Sequence, residues 1–519
     1  MSRSLLKSSS IVGGFTLISR LLGFVREILL AATFGAGGGA DAFFVALQIP
    51  NFGRRMFAEG AFSQAFVPVF TETKTTHPHA QAREMVAVVM GTLGGILALL
   101  TLIGCLASPV LVWMFASGFS ADPAKQALAG GLLRWTFPYL MFISLTSLAG
   151  GVLNSYGRFA VPAFTPVILN LCLIASMYID ASSVYVLAYA VFAAGILQFV
   201  FQLPSLLKLD LLPVPRWGWR DSRVQRILKL MGPVLIGSSV AQVSLLLNSN
   251  LSTFIGDGAV SWLYYASRLM EFPVGIFSIA VGTAILPALS RQHVQKSPEA
   301  FSVTLDWGLR VMLLIGIPAA VGMILLAGPL VATMFARGKF GAEDVAMTTY
   351  ALCAYGFGFM GFSLVKVLVP GFYARQETRA PVRYAVIGLV VGMCASVTLF
   401  VCSRYFEIRA AHVGLAASTS LTAWVNSLLL LRRLRRDGVY RPGAGWGGFG
   451  LQLLLANAAM GAVLLFWAGD LGAWLAMPTW VRALRLAELI AAAIVVYFGV
   501  LFALGLRPRD LRAGGRQAV

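Results

Sequence analysis

Apolar runs of about 20 residues, enough to cross ~30 Å of hydrocarbon at 1.5 Å per residue, recur along the entire sequence. Polar and charged positions gather in the short stretches between them. The pattern predicts membrane helices near 9–33, 41–70, 84–108, 129–153, 160–180, 184–206, 226–252, 262–290, 303–328, 345–370, 380–402, 409–431, 448–468 and 484–506, fourteen in all. No stretch of soluble-domain size interrupts the series. The first run follows Arg3 and Lys7 in the manner of a signal peptide. Arg20 interrupts it and no small-residue cleavage site follows cleanly, so it reads as a helix that is retained.

The pattern also repeats. Ala42 to Pro68 (AFFVALQIPNFGRRMFAEGAFSQAFVP) aligns with Ser261 to Pro287 (SWLYYASRLMEFPVGIFSIAVGTAILP). The same 219-residue offset carries Pro162 of NSYGRFAVP onto Pro381 of YARQETRAP. That offset spans six helices, an even number, so the second copy enters the membrane in the same direction as the first. Halves related in this way share an axis along the membrane normal, with a central cavity expected between them. The expected fold class is therefore an all-α polytopic membrane protein of 14 transmembrane helices. It comprises two pseudo-symmetric six-helix lobes in a parallel repeat and a C-terminal helix pair without a repeat partner. The expected divisions are 1–207 for the first lobe, 208–225 for a basic linker containing Pro213 and Pro215, 226–436 for the second lobe, and 437–519 for the last pair and a basic tail.

Composition agrees: 58% of the 519 residues are hydrophobic and only 12% charged, where a soluble chain carries about 25%. The net charge of +19 suggests an acidic partner until its distribution is read. Lys74 and Arg83, Arg158, the run Lys208 to Arg226, Arg291 and Lys296, Arg375 to Arg383 and the run Arg432 to Arg441 occupy alternate loops. The facing loops hold few basic residues, among them Lys125, Arg337 and Lys339. Asymmetry of this kind orients the chain with both termini in the cytoplasm. Most of the charge is then topology and attraction to the lipid surface, and no nucleic-acid partner is indicated.

Cofactor chemistry finds little support. Cys105, Cys172, Cys353, Cys394 and Cys402 are scattered through apolar runs without a CxxC pair, and His77, His79, His293 and His412 form no ligand spacing. Gly356 to Gly361 fits GxGxxG, but it lies inside a membrane run without the preceding strand or acidic follower that a dinucleotide site needs. There is no GxxxxGK[ST] phosphate loop. No catalytic residue, metal or cofactor is expected; energy would come from the membrane potential or a monovalent ion.

Charges inside the predicted helices carry the functional signal. The first span contains Arg20, Arg26 and Glu27; the second contains Arg54, Arg55 and Glu59, with Asp41 at its outer end; the eighth contains Arg268 and Glu271. A central arginine costs about 2.5–3.5 kcal/mol on insertion scales, so several together imply a hydrated, protein-lined cavity. Arg55 with Glu59 (i,i+4) and Arg268 with Glu271 (i,i+3) share helical faces and are placed to pair. Glu27, Asp41, Arg55, Glu59 and Glu271 are read as gating or charge-balance positions. Arg20, Arg26, Arg54 and Arg268 outnumber the nearby acids and are read as contacts for an anionic cargo, which guanidinium groups suit. Pro50–Gly53 is expected to break the second helix beside two of these arginines.

From Arg20 to Pro68 the sequence resembles the MurJ (MviN) family of lipid II flippases, in the multidrug/oligosaccharidyl-lipid/polysaccharide exporter superfamily. The resemblance rests on SRLLGFVRE (Ser19–Glu27), FGAGGGADAFFVA (Phe34–Ala46), PNFGRRMFAEGAFSQAFVP (Pro50–Pro68), FPYLMFISL (Phe137–Leu145), YYASRLMEFPVG (Tyr264–Gly275), ARGKF (Ala336–Phe340) and PGFYARQETRAP (Pro370–Pro381). It implies transport of undecaprenyl-diphosphate-linked disaccharide-pentapeptide from the inner to the outer leaflet of the bacterial cytoplasmic membrane, in peptidoglycan synthesis. It also implies a groove for the polyprenyl tail beside the last helix pair, and maps the family's cavity arginines onto Arg20, Arg26, Arg54 and Arg268. Other cell-wall synthesis proteins are possible partners by the same resemblance, besides membrane lipids. Glu27 stands where many members have Asp, and Ser267 precedes Arg268 where an acid is common, which makes the second-lobe site more positive. Alternatives are another exporter of the superfamily, whose hydrophobic-cation members would need cavity acids to predominate, and a polytopic glycosyltransferase, which would need an acidic cluster in a large outer loop.

Overall fold

Helix dominates because the apolar runs have no water to satisfy their backbone and must bond internally. The computed structural model describes residues 3–275 and 279–507, apart from the side chains of 3–10, 57–60, 236–241, 279–281, 283 and 284. Among the described residues each predicted span falls on helix and no strand occurs. Ten of the helical segments are long and apolar enough to cross a membrane.

The chain divides into two compact units, Met1–Ser261 and Trp262–Val519. The first contains α1 (Arg3–Phe34), α2 (Gly38–Gly53), a π-helical segment (Arg54–Phe62), α3 (Ser63–Thr76), α4 (His79–Leu106), α5 (Ser108–Phe115), α6 (Pro123–Thr136), α7 (Tyr139–Ser155), α8 (Ala160–Ile179), α9 (Tyr185–Leu207) and α10 (Ser222–Ser252). Here α1 packs on α8, α8 and α7 on α9, and α2 on α6. Phe62, Phe66 and Phe70 recur at i,i+4 and stack face to face at 5.2 and 5.3 Å. They enter a core with Met85, Leu148 and Val152. The expected break at Pro50–Gly53 does not occur. Helix continues through Pro50, and the irregularity lies one residue later, where i→i+5 bonding widens Arg54–Phe62. Pro50 costs one backbone bond but the helix retains the others, and the wider coil absorbs the mismatch.

The segment expected as a linker packs against the first unit. Leu211 is fully buried in the first unit's core. Arg216 N donates to Ala87 O (2.9 Å) and Gly218 N to Thr92 Oγ1 (2.9 Å), both on α4. A β-carbon on Gly91 would stand 2.3 Å from Arg216 O, and one on Gly95 would stand 2.8 Å from the Trp217 ring. Those two glycines therefore form the groove that seats residues 216–218.

α11 (Ala259–Pro273) begins at the end of the first unit, and the second unit continues with α12 (Ile279–Val294), α13 (Pro298–Leu325), α14 (Ala327–Phe335), α15 (Ala342–Tyr373), α16 (Arg379–Tyr405), α17 (His412–Arg436), α18 (Trp446–Ala468), α19 (Leu471–Ala476) and α20 (Thr479–Ala503). α15 packs on α13 and α17, and α18 on α20. The GxGxxG stretch lies inside α15, where β-carbons on Gly358 and Gly361 would collide with Ser420 and Ala423 of α17 at 2.3 and 2.8 Å. Its glycines serve helix packing by small residues. Asp306 on α13 gathers the chain between α17 and α18. It accepts from Tyr440 OH (2.8 Å), Trp446 Nε1 (2.7 Å), Gly443 N (3.2 Å) and Arg310 Nε (2.7 Å).

Candidate functional site

Arg20, Arg26 and Glu27 lie on α1. Arg20 is exposed. Arg26 is held: its Nη1 donates to Asn170 Oδ1 on α8 at 2.9 Å, and its Nη2 pairs with Glu27. Asn170 is buried and donates in turn to Ser19 O at 2.9 Å, so one amide bonds α1 at two points. Arg54 opens the π-helical segment and donates from Nε to Asn51 Oδ1 at 3.1 Å. Arg55, next to it, is half-buried. The pairing expected between Arg55 and Glu59 assumes α-helical spacing, which this segment lacks; the Glu59 side chain lies outside the described residues.

Asp41 is the most enclosed of the predicted positions, with no exposed surface. Its carboxylate accepts from Gly258 N (2.8 Å), Ser261 N (2.9 Å), Ser261 Oγ (2.6 Å) and Lys125 Nζ (3.3 Å). Gly258 and Ser261 flank the first residues of α11, so the carboxylate caps a helix N-terminus, where the orphan amides and the macrodipole favour negative charge. Lys125 reaches on to Asp257 at 2.6 Å and lies 4.4 Å from the centre of the Phe119 ring. One buried lysine thus bridges two carboxylates on separate elements.

In the second unit Arg268 on α11 donates to Glu271 Oε2 at 2.6 Å and lies over the Tyr264 ring at 4.8 Å. Both charged side chains are partly open to solvent, the glutamate the more so. No group of three or more His, Cys, Asp or Glu residues placed to hold a metal occurs among the described residues.

The sequence profile of the family described as "Lipid II flippase MurJ" matches residues 30–481. This chain belongs to that family. It is 44% identical to the "Probable lipid II flippase MurJ" of Vibrio cholerae, the match covering 99% of this chain and 98% of the relative. The "Lipid II flippase MurJ" of Burkholderia cenocepacia is 42% identical, over 96% of each chain. Among solved structures, a "Lipid II flippase MurJ, inward closed conformation" superposes with a TM-score of 0.77 at 24% identity, covering 95% of this chain and 99% of that one. An inward-facing multidrug-resistance transporter of the MATE family and MOP superfamily gives a TM-score of 0.61 at 14% identity, over 83% of this chain and 98% of the other. Both superpositions bear on the fold, which is that of an all-helical, multi-pass membrane protein.

Within this flippase-family chain, the i,i+3 pairing expected of Arg268 with Glu271 is present, whereas the partner that orients Arg26 was not expected. Asn170 stands 144 positions from Arg26 and carries no local signature. Lys125 counted only as an outer-loop charge, and its carboxylate partners, Asp41 and Asp257, are 84 and 132 positions away. Asp306, which fastens the entry to the last helix pair, was invisible for the same reason as Asn170: the partners it gathers there are 134 to 140 positions away.

Proposed function

We propose that this chain is a transporter that flips lipid II across the bacterial cytoplasmic membrane, from the inner to the outer leaflet, to supply peptidoglycan synthesis. The observation that carries this reading is the family match and 44% identity, extending over nearly the whole of the chain. The residues supply matching chemistry, because diphosphate and peptide carboxylates suit guanidinium forks.

In this reading Arg20, Arg26, Arg54 and Arg268 contact the anionic head group, while Glu27, Asp41, Arg55, Glu59 and Glu271 balance charge or gate. Fourteen helices cross the membrane with both termini cytoplasmic: two six-helix halves, 1–207 and 226–436, the connection 208–225, and the final pair in 437–519. Transport proceeds by alternating access with the tail left in lipid. An inside-negative potential favours outward passage of an uncompensated anion by about 2.3 kcal/mol per charge per 100 mV.

The test is flipping of labelled lipid II in vesicles containing only the purified protein. Arg26→Ala and Arg268→Ala should each abolish flipping while inserting into the membrane normally. Wild-type rates from either variant would overturn its assigned role, and no flipping by the unaltered protein would overturn the function.

A further inference from the structure

A cavity of about 190 Å³ lies between α4, α7 and α10 in the first unit. Val89, Leu93, Ile96, Ile227, Leu228 and Met231 supply much of its wall. Its two hydroxyls are already engaged: Thr92 Oγ1 accepts from Gly218 N at 2.9 Å, and Ser144 Oγ donates to Leu140 O at 2.7 Å. What faces the opening is hydrocarbon. Water gains nothing in such a space, since it needs two or more polar partners; a hydrocarbon chain fits it. The volume equals roughly six waters at ~30 Å³ each, room for a short stretch of a single chain.

The seated connection 216–219 borders this cleft, because Thr92 belongs to both. Trp217 and Trp219 are exposed, with rings 6.5 Å apart and nearly parallel. Arg216 and Arg220 flank them, both exposed, and neither has an acidic partner among the described residues. The strap is fixed against α4 at Ala87 and Thr92, and Gln225 Nε2 donates to Trp219 O at 2.6 Å. Exposed indoles beside unpaired arginines on a rigid backbone suit the membrane interface, where aromatic rings and lysine or arginine meet anionic head groups.

We propose that the α4–α10 cleft and the Arg216–Arg220 strap together form a binding site for an anionic phospholipid, with part of an acyl chain in the cleft and the phosphate against the two guanidinium groups. The occupant is a bilayer lipid and not the transported substrate: the cleft holds only a short chain segment, and its polar contacts are separate from the arginines assigned to the cargo. The site does not depend on lipid II being that cargo.

Native mass spectrometry of the full-length protein, titrated with phosphatidylglycerol or phosphatidylcholine, tests this. Phosphatidylglycerol should bind more tightly, and Arg216→Ala/Arg220→Ala should weaken it about twenty-fivefold, at roughly fivefold per arginine, leaving phosphatidylcholine unchanged. Ile96→Trp, which fills the cleft, should weaken both lipids. In the unaltered protein, phosphatidylglycerol carrying a diazirine on its chain should label α4 and α10, a readout that needs no variant to fold. Equal binding of the two lipids, unchanged phosphatidylglycerol binding in the arginine variant, or labelling confined to other helices would each overturn the proposal. So would displacement of phosphatidylglycerol by equimolar undecaprenyl phosphate, which would assign the cleft to the substrate's tail.

Discussion

Arg26 shows how a single guanidinium becomes a positioned group. Its charge alone would let it pair with any acid nearby, and adjacent Glu27 satisfies part of that demand. Direction comes from Asn170, which bonds both Arg26 and the backbone of Ser19. Hydrogen bonds to charged groups are worth about 1.5–3 kcal/mol, so losing this one should release the arginine without unfolding the helix. Asn170→Ala is expected to lower lipid II flipping about tenfold, and to add little in an Arg26→Lys background, where the oriented fork is already lost. Additive losses in the vesicle assay would show that Asn170 acts elsewhere. At this scale the sequence singles out candidate residues, because charge inside an apolar run is conspicuous. The local partner of Arg268, Glu271 at i,i+3, was legible too; the distant ones were not, since Asn170 and Lys125 reach their targets only through tertiary packing.

Helices were legible because period and length are local properties: predicted spans and observed helices differ by a few residues at their ends. The π-helical segment was not, because the choice between i→i+4 and i→i+5 bonding is made by how the helix packs and leaves little mark in hydropathy. The connection before α10 reads as a linker from its prolines and charges, and its docking depends on two glycines of α4 that the sequence does not single out. Asp221 closes that connection. It caps α10 through Arg223 N at 2.8 Å and pairs with the Arg223 side chain at 2.7 Å. Hydrogen bonding from Arg223 holds the Asp221 carboxyl below its ordinary range. A depressed carboxyl contributes stability above its unfolded-state pKa and loses it as pH falls through the lowered folded value. Asp221→Asn should therefore be less stable than the parent at neutral pH and indistinguishable from it in strong acid, by thermal unfolding at each pH. A constant difference across that range would show that the cap works without its charge.

Over the whole molecule the sequence predicts an orientation. Basic loops alternate with nearly neutral ones, and by the positive-inside rule that bias predicts which side each loop faces. Reporter fusions should find the loops near Arg83, Arg158, Arg220 and Arg375 cytoplasmic and those near Lys125 and Lys339 outside; a swap at any one would break the even helix count. The compact units divide at Ser261, so that α10 lies with the unit that precedes it in the chain, while hydropathy says only that it is a span. The widened coil at Arg54–Phe62 has a mechanical consequence. Were those nine residues to rewind as ordinary α-helix, everything after them would rotate about the helix axis, and Phe66 and Phe70 would leave the pocket formed with Met85 and Leu148. The register of this coil thus ties the facing of the aromatic stack to that of Arg54.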